Sequence, residues 1–177
     1  MNYFERYNLP VSFHPDAALV KLKFYELSKK YHPDFYVNYS EEKQEEVLEL
    51  STENNTAYRV LSDPQKRLHY ILELKGLLAE GENYTLPQDF LAEMMEVNEA
   101  LMDMQAEPDV SRLEVIKKEV LIMENGIEEE LKTLTASFET LQEDAQGPVL
   151  ASVKDLYFRK KYLHRINDSL FKLESEL

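Results

Sequence analysis

The sequence contains no cysteine and no tryptophan, and only four of its 177 residues are glycine. Without cysteine the chain forms no disulfide and holds no thiolate-bound zinc or iron–sulfur cluster. The absence of cysteine fits a reducing compartment, so a cytoplasmic location is expected. There is no run of about 18 apolar residues, so neither a transmembrane helix nor a membrane partner is predicted. The opening stretch, MNYFERYNLP, lacks the basic and apolar segments of a signal peptide, and none is expected.

Charged residues are abundant and unevenly distributed. The net charge is −14, with 10 basic and 12 acidic residues in 1–75 and 10 basic and 22 acidic residues in 76–177. A negative field of this size repels phosphate backbones, so nucleic acid is not an expected partner. The change in charge balance between the two segments indicates two domains.

Apolar spacing predicts four helices in the first domain, residues 1–75. A short one lies within residues 2–8. The second begins at Asp16, a favourable N-cap. It ends at His32, because Pro33 disfavours helical geometry in the residue before it. The third begins after Ser40, and the fourth begins at Pro64, since proline suits a first helical turn.

Residues 76–87 carry turn-forming glycine and asparagine and are predicted to be a linker. Three amphipathic helices follow in residues 88–177, the second opening at Asp109 and the third separated by the Gly-Pro pair at 147–148. Short connections between such helices favour an antiparallel bundle. With no convincing alternating strand pattern, the predicted fold is all-α. The core stripe of the first bundle helix comprises Phe90, Met94, Val97, Leu101 and Met104.

The triplet His-Pro-Asp occurs twice, at 14–16 and at 32–34. At the first copy, helix initiation explains the proline and the aspartate, since Asp16 caps the next turn. The second copy follows a helix instead of preceding one. Helix termination explains Pro33 there but explains neither the histidine nor the second aspartate.

The second triplet and the helix after it resemble the J domain, a helical hairpin with two short helices. The matching residues are Tyr31, His32, Pro33 and Asp34, followed by Ala57, Tyr58, Val60, Leu61, Asp63, Pro64, Lys66 and Arg67. The resemblance implies that His32, Pro33 and Asp34 contact an ATP-driven chaperone of the DnaK type and stimulate its ATP hydrolysis. It also favours docking of Lys23, Lys29 and Lys30 on an acidic chaperone surface over a role as ordinary solvated lysines.

The opening Tyr3-Phe4, the Asn8-Leu9-Pro10 stretch and the acidic bundle resemble the HscB family, the J-type co-chaperones of iron–sulfur cluster assembly. This resemblance implies delivery of a scaffold protein of the IscU type to a chaperone of the HscA type. The chain departs from the family at Phe35, where lysine or arginine is frequent, and at Asn54, where an aliphatic residue is expected. The N-terminal cysteine site of the eukaryotic members is absent.

A second apolar ridge, Leu91, Met95 and Met102, lies beside the core stripe of the first bundle helix. It either packs on a neighbouring helix or forms an exposed protein-binding patch with an acidic border. The HscB resemblance implies the second use. It aligns the following residues with scaffold-contacting positions: Leu91, Ala92, Met95, Glu96, Glu99, Asp103 and Phe158.

Two further functions compete with an iron–sulfur co-chaperone. The first is a J-domain co-chaperone with a different protein client. The second is a metal-dependent hydrolase that uses His14, Asp16, His32 and Asp34. An intact helix of about 1.5 Å rise per residue would hold the two triplets about 25 Å apart, which precludes a shared metal. No nucleotide-binding, hydrolase or zinc-protease motif is present, so no enzymatic activity, metal or cofactor is expected.

Overall fold

The computed structural model describes all 177 residues as helices and connecting segments, without a strand, and the all-α prediction is confirmed. The chain divides into two compact units, Met1–Leu78 and Ala79–Leu177. The division falls inside the stretch that the sequence predicts as a linker. Each unit is described by itself below.

The first unit is built around a helical hairpin. Helices α2 and α3 pack along each other, and α1 and α4 both pack on α3. Its elements are α1 (Tyr3–Arg6), α2 (Ala17–Lys30), a 3₁₀ helix (Pro33–Tyr36), α3 (Glu41–Ser62) and α4 (Pro64–Leu74). The buried core draws on all four α-helices and on the segment between α1 and α2, with Phe4, Phe13, Val20, Val47 and Leu72 among its members.

The helix starts in this unit follow capping chemistry that is readable in the sequence. Asp16 accepts hydrogen bonds from two backbone N–H groups of α2, Ser40 accepts one from α3, and Asp63 accepts two from α4. Such caps satisfy N–H groups that have no partner inside the helix. Arg67, in the first turns of α4, donates to the backbone carbonyls of Phe13 and Leu61 at 3.0 and 2.6 Å and ties distant segments together.

Asn54 is 1% exposed, and its amide is the polar centre of the hairpin. Its Nδ2 donates to the Phe24 carbonyl and to Ser28 Oγ, both at 3.1 Å. Its Oδ1 accepts from the hydroxyl of buried Tyr7 at 2.8 Å. Burial raises the pKa of Tyr7 well above its usual value, which keeps this hydroxyl a donor. The amide therefore joins α3 to α2 and to Tyr7, the residue that ends α1, which explains a polar residue on an otherwise apolar stripe.

Replacing Asn54 by leucine is expected to lower the free energy of unfolding by about 1–3 kcal/mol, because the Phe24 carbonyl and Ser28 would lose a buried partner. Urea denaturation measures this. Asn55→Leu is the matched control, since Asn55 is exposed on the same helix, and it should change stability by less than about 0.5 kcal/mol. Equal stabilities of the Asn54 variant and the unmodified protein would contradict this account.

The second unit is a bundle of α5 (Gln88–Ala106), α6 (Val110–Thr135) and α7 (Glu143–Glu176). Helix α7 packs against both α5 and α6. Side-chain pairs show that α6 and α7 run antiparallel, because residues later in α6 contact residues earlier in α7. These pairs are Lys117 with Glu174, Glu124 with Asn167, and Glu128 with Lys160. All five residues of the predicted α5 core stripe are buried.

The predicted boundary before the third bundle helix is wrong. Helix α6 ends at Thr135, a short 3₁₀ helix covers Phe138–Thr140, and α7 begins at Glu143, so the Gly-Pro pair at 147–148 lies inside α7. Pro148 has no backbone N–H, so one helical hydrogen bond is missing near the exposed start of α7. The packing of the following turns, which bury Leu150, Val153 and Leu156, maintains the helix across this gap.

Candidate functional site

The second His-Pro-Asp triplet follows α2 after one residue, Tyr31, and opens the 3₁₀ helix Pro33–Tyr36. His32 has extended backbone geometry, with φ −70° and ψ 124°, and is the N-cap of that short helix. This conformation follows from Pro33, whose ring disfavours helical geometry in the preceding residue. The chain therefore leaves the helical path at His32 and enters the short 3₁₀ helix.

Within the triplet the histidine and the aspartate contact each other. The Asp34 N–H donates to His32 Nδ1 at 3.3 Å, and Asp34 Oδ2 lies 3.6 Å from the same nitrogen. The side chains are 53% and 84% exposed, respectively. The loop thus uses His32 Nδ1 internally, while more than half of each of the two side chains remains exposed to a partner protein.

Two polar side chains that the sequence analysis did not single out hold the loop. The Tyr36 hydroxyl donates to the Lys30 carbonyl at 2.8 Å and ties the 3₁₀ helix to the end of α2. Gln44 Nε2 donates to the carbonyls of Val37 and Tyr39 at 3.3 and 2.9 Å. No short motif marks these residues, because the backbone atoms that they contact are defined only by the path of the loop.

The three predicted docking lysines have different surroundings. Lys29 and Lys30 are exposed in the last turn of α2, and Lys29 lines the same groove as His32 and Asp34. Lys23 lies further up the helix and pairs with Glu26 at 3.1 Å. Of the three, Lys29 is therefore the one that lines a groove together with His32 and Asp34.

The first triplet has the structural use that its position predicts. Asp16 caps α2, and the His14 N–H donates to Ser12 Oγ at 2.9 Å. The 14 residues of α2 run unbroken between the two triplets. No group of three or more histidine, aspartate or glutamate side chains is arranged to hold a metal ion.

In the second unit, a ridge on α5 faces away from the bundle core. Met95 and Met102 are 63% and 69% exposed, and Leu91 is half-buried. Ala92, Glu96, Glu99 and Asp103 are exposed beside the ridge. We call Leu91, Ala92, Met95, Glu96, Glu99 and Asp103 the α5 patch. Its Asp103 contacts Arg112 of α6 at 3.4 Å.

Phe158, the remaining predicted client contact, lies on α7 and is partly covered. Its ring stacks on Tyr84 with centroids 4.5 Å apart, and the Tyr84 hydroxyl donates to Asp155 at 2.7 Å. Burial, together with the hydrogen bond to Asp155, raises the pKa of Tyr84 to about 12, so the hydroxyl remains a donor near neutral pH.

Tyr84 belongs to the stretch predicted as a linker, yet that stretch packs on α7. Lys154 binds Glu82 at 2.7 Å and lies over the Tyr84 ring at 5.5 Å. The hydrogen bond from Lys154 lowers the pKa of Glu82 below its usual value. Tyr84 is thus part of the surface around Phe158, a role that the sequence analysis missed.

Comparisons with known proteins agree with this two-part organisation. The DnaJ domain family model matches residues 5–70, and the model described as the HSCB C-terminal oligomerisation domain matches residues 86–170. None of the helices is long and apolar enough to span a membrane.

Curated relatives match along nearly the whole chain. A co-chaperone protein HscB homolog of Vibrio cholerae is 31% identical over 173 residues, which cover 96% of this chain and 99% of the relative. A homolog of the same name from Aliivibrio salmonicida is 34% identical over 179 residues, covering 100% and 99%.

Two solved structures share the fold. Chaperone HscB from Vibrio cholerae is 26% identical with a TM-score of 0.70, and the match covers 99% of each chain. Human co-chaperone protein HscB, at 24% identity and a TM-score of 0.74, covers 100% of this chain and 84% of its own, and this likeness concerns the fold alone. With a J domain followed by an HscB C-terminal domain, and relatives above 30% identity along its length, this chain belongs to the HscB family of co-chaperones.

Proposed function

We propose that this protein stimulates ATP hydrolysis by a DnaK/HscA-type chaperone through the His32-Pro33-Asp34 loop and delivers an iron–sulfur scaffold protein of the IscU type through the α5 patch. The observation that carries the proposal is the exposed triplet at the end of α2, with its His32 and Asp34 side chains in contact and accessible. No chemical step is assigned to the protein itself. Its cysteine-free composition supports a cytoplasmic site of action.

The loop is suited to binding because its conformation is already set. The 3₁₀ turn, the Tyr36 bond to the Lys30 carbonyl and the Gln44 bonds hold the triplet without a partner present. Preorganisation reduces the ordering cost that association must overcome. Lys29 adds a positive charge beside the triplet, which favours an acidic partner surface.

The α5 patch has the composition expected of a protein-binding surface. Exposed methionine adapts to irregular partner surfaces, and Glu96, Glu99 and Asp103 supply an acidic border. A basic scaffold surface would therefore be attracted electrostatically, while Leu91 and Met95 supply apolar contact. The proposed domain roles follow the predicted division into residues 1–75, a linker at 76–87, and residues 88–177.

The direct experiment uses the full chain with a purified DnaK/HscA-type chaperone and an IscU-type scaffold. Steady-state ATPase assays should show a higher rate with the protein present, and titration calorimetry should show binding of the scaffold without the chaperone. Absence of stimulation would refute the chaperone role. Stimulation without scaffold binding would favour the alternative function, a J-domain co-chaperone with a different client.

A further inference from the structure

Two exposed aromatic residues border a groove that contains the chaperone-contacting groups. Tyr25 on α2 and Phe35 in the 3₁₀ helix are 53% and 69% exposed. The groove is lined by Tyr25, Ser28, Lys29, His32, Asp34 and Phe35. Single apolar residues scattered on a surface need no explanation, but two aromatics on one groove form a local apolar site.

The chemistry of the groove defines what fits it. The exposed surface of its lining is mostly apolar, and the charged residues Lys29 and Asp34 are also among the lining residues. The Phe35 ring meets His32 edge-on, with centroids 5.8 Å apart, so the apolar surface continues to the histidine. An aliphatic side chain flanked by one acidic and one basic residue would match this arrangement.

The occupant follows from the position of the groove. His32 and Asp34 line this groove together with Tyr25 and Phe35, so the groove is continuous with the triplet that the chaperone is proposed to contact. Phe35 carries no charge, whereas a lysine or arginine at this position would supply an ionic contact. At this point of the surface, Phe35 offers a partner apolar contact and no ionic contact.

We infer that Tyr25 and Phe35 form an aromatic clamp that binds an aliphatic side chain of the chaperone, while Lys29 and Asp34 pair with oppositely charged chaperone residues beside it. This inference rests on the proposed function and adds a specificity-determining contact to it. A chaperone with a polar or bulky aromatic side chain at the matching position would bind this protein weakly.

The test is the chaperone's steady-state ATPase rate as a function of the concentration of the full-length protein. Tyr25→Ala combined with Phe35→Ala should raise the half-saturating concentration by roughly tenfold or more, as loss of interface anchors does. Maximal stimulation should be retained, because His32 and Asp34 are unchanged. Val37→Ala is the matched control: Val37 is a 64% exposed apolar residue in the same loop and does not line the groove.

Salt dependence supplies a second measurement. In the Phe35→Lys variant the half-saturating concentration should rise more steeply with salt than in the unmodified protein, because an ionic contact is screened and an apolar one is not. If the alanine double variant and Val37→Ala both have the half-saturating concentration of the unmodified protein, the clamp is overturned. A lower maximum at unchanged half-saturation would also overturn it, since Phe35 would then act by orienting His32.

The His32→Gln variant distinguishes failure of the clamp from failure of the proposed function. If it loses stimulation at every concentration while the alanine double variant behaves as the unmodified protein, the proposed function stands and the clamp fails. If His32→Gln stimulates as the unmodified protein does, the proposed function itself fails.

Discussion

His32→Gln is expected to abolish stimulation of the chaperone's ATPase. The histidine is the N-cap of the 3₁₀ helix, its Nδ1 accepts from the Asp34 N–H, and it lines the groove at the end of α2. Glutamine retains polarity but not the ring, so both the Nδ1 contact within the triplet and the partly exposed imidazole are lost. A steady-state ATPase assay at saturating protein concentration measures the effect.

His14→Gln is the matched control, because it changes the same residue type in the same triplet sequence at the other end of α2. Stimulation by this variant should remain near that of the unmodified protein. Thermal melts should show that both variants are folded, since both side chains are exposed. Equal loss of stimulation in the two variants would mean that the assignment of the second triplet is wrong.

Combined replacement of Leu91 and Met95 by alanine is expected to weaken scaffold binding by more than about tenfold. Truncating a central apolar anchor of an interface costs about 1–2 kcal/mol or more, and about 1.4 kcal/mol corresponds to tenfold in affinity. The melting temperature should change little, because Met95 is exposed and Leu91 only half-buried. Titration calorimetry with an IscU-type scaffold, accompanied by thermal melts, measures both quantities.

Ile122→Ala is the control for this variant, since Ile122 is a 71% exposed apolar residue of the same bundle that lies on α6, outside the ridge and the α5 patch. It should bind the scaffold almost as the unmodified protein does. Phe158, a predicted contact, is kept intact in this experiment because its ring supports Tyr84 and its truncation would also disturb that packing. Unchanged affinity in the folded double variant would show that the α5 patch is not the client site.

Local chemistry accounts for what the sequence determined by itself. The caps at Asp16, Ser40 and Asp63 and the helix stop before Pro33 depend on groups a few residues apart. Hydrogen bonds and steric clashes over so short a distance are readable from spacing alone. The same holds for the buried stripe of α5, because a helix places residues three and four positions apart on one face.

Local rules of this kind could not place the start of α7. A glycine followed by a proline ordinarily interrupts a helix, and the pair at 147–148 carries no local signal that it would not. Its tolerance depends on the burial of later residues of α7, such as Leu150 and Val153, against the rest of the bundle. The sequence therefore identified three bundle helices but placed one boundary incorrectly.

Only the tertiary structure decided the contacts between distant segments. Tyr84 and Asp155 are 71 positions apart, and Tyr7 and Asn54 are 47 apart, so neither pair has a spacing that a sequence pattern could reveal. Tyr84 thus becomes part of the surface around Phe158, and Asn54 becomes the polar centre of the hairpin. Both contacts have the same physical reason. A buried or half-buried polar group needs a hydrogen-bond partner, and the packing of the helices determines which residue provides it.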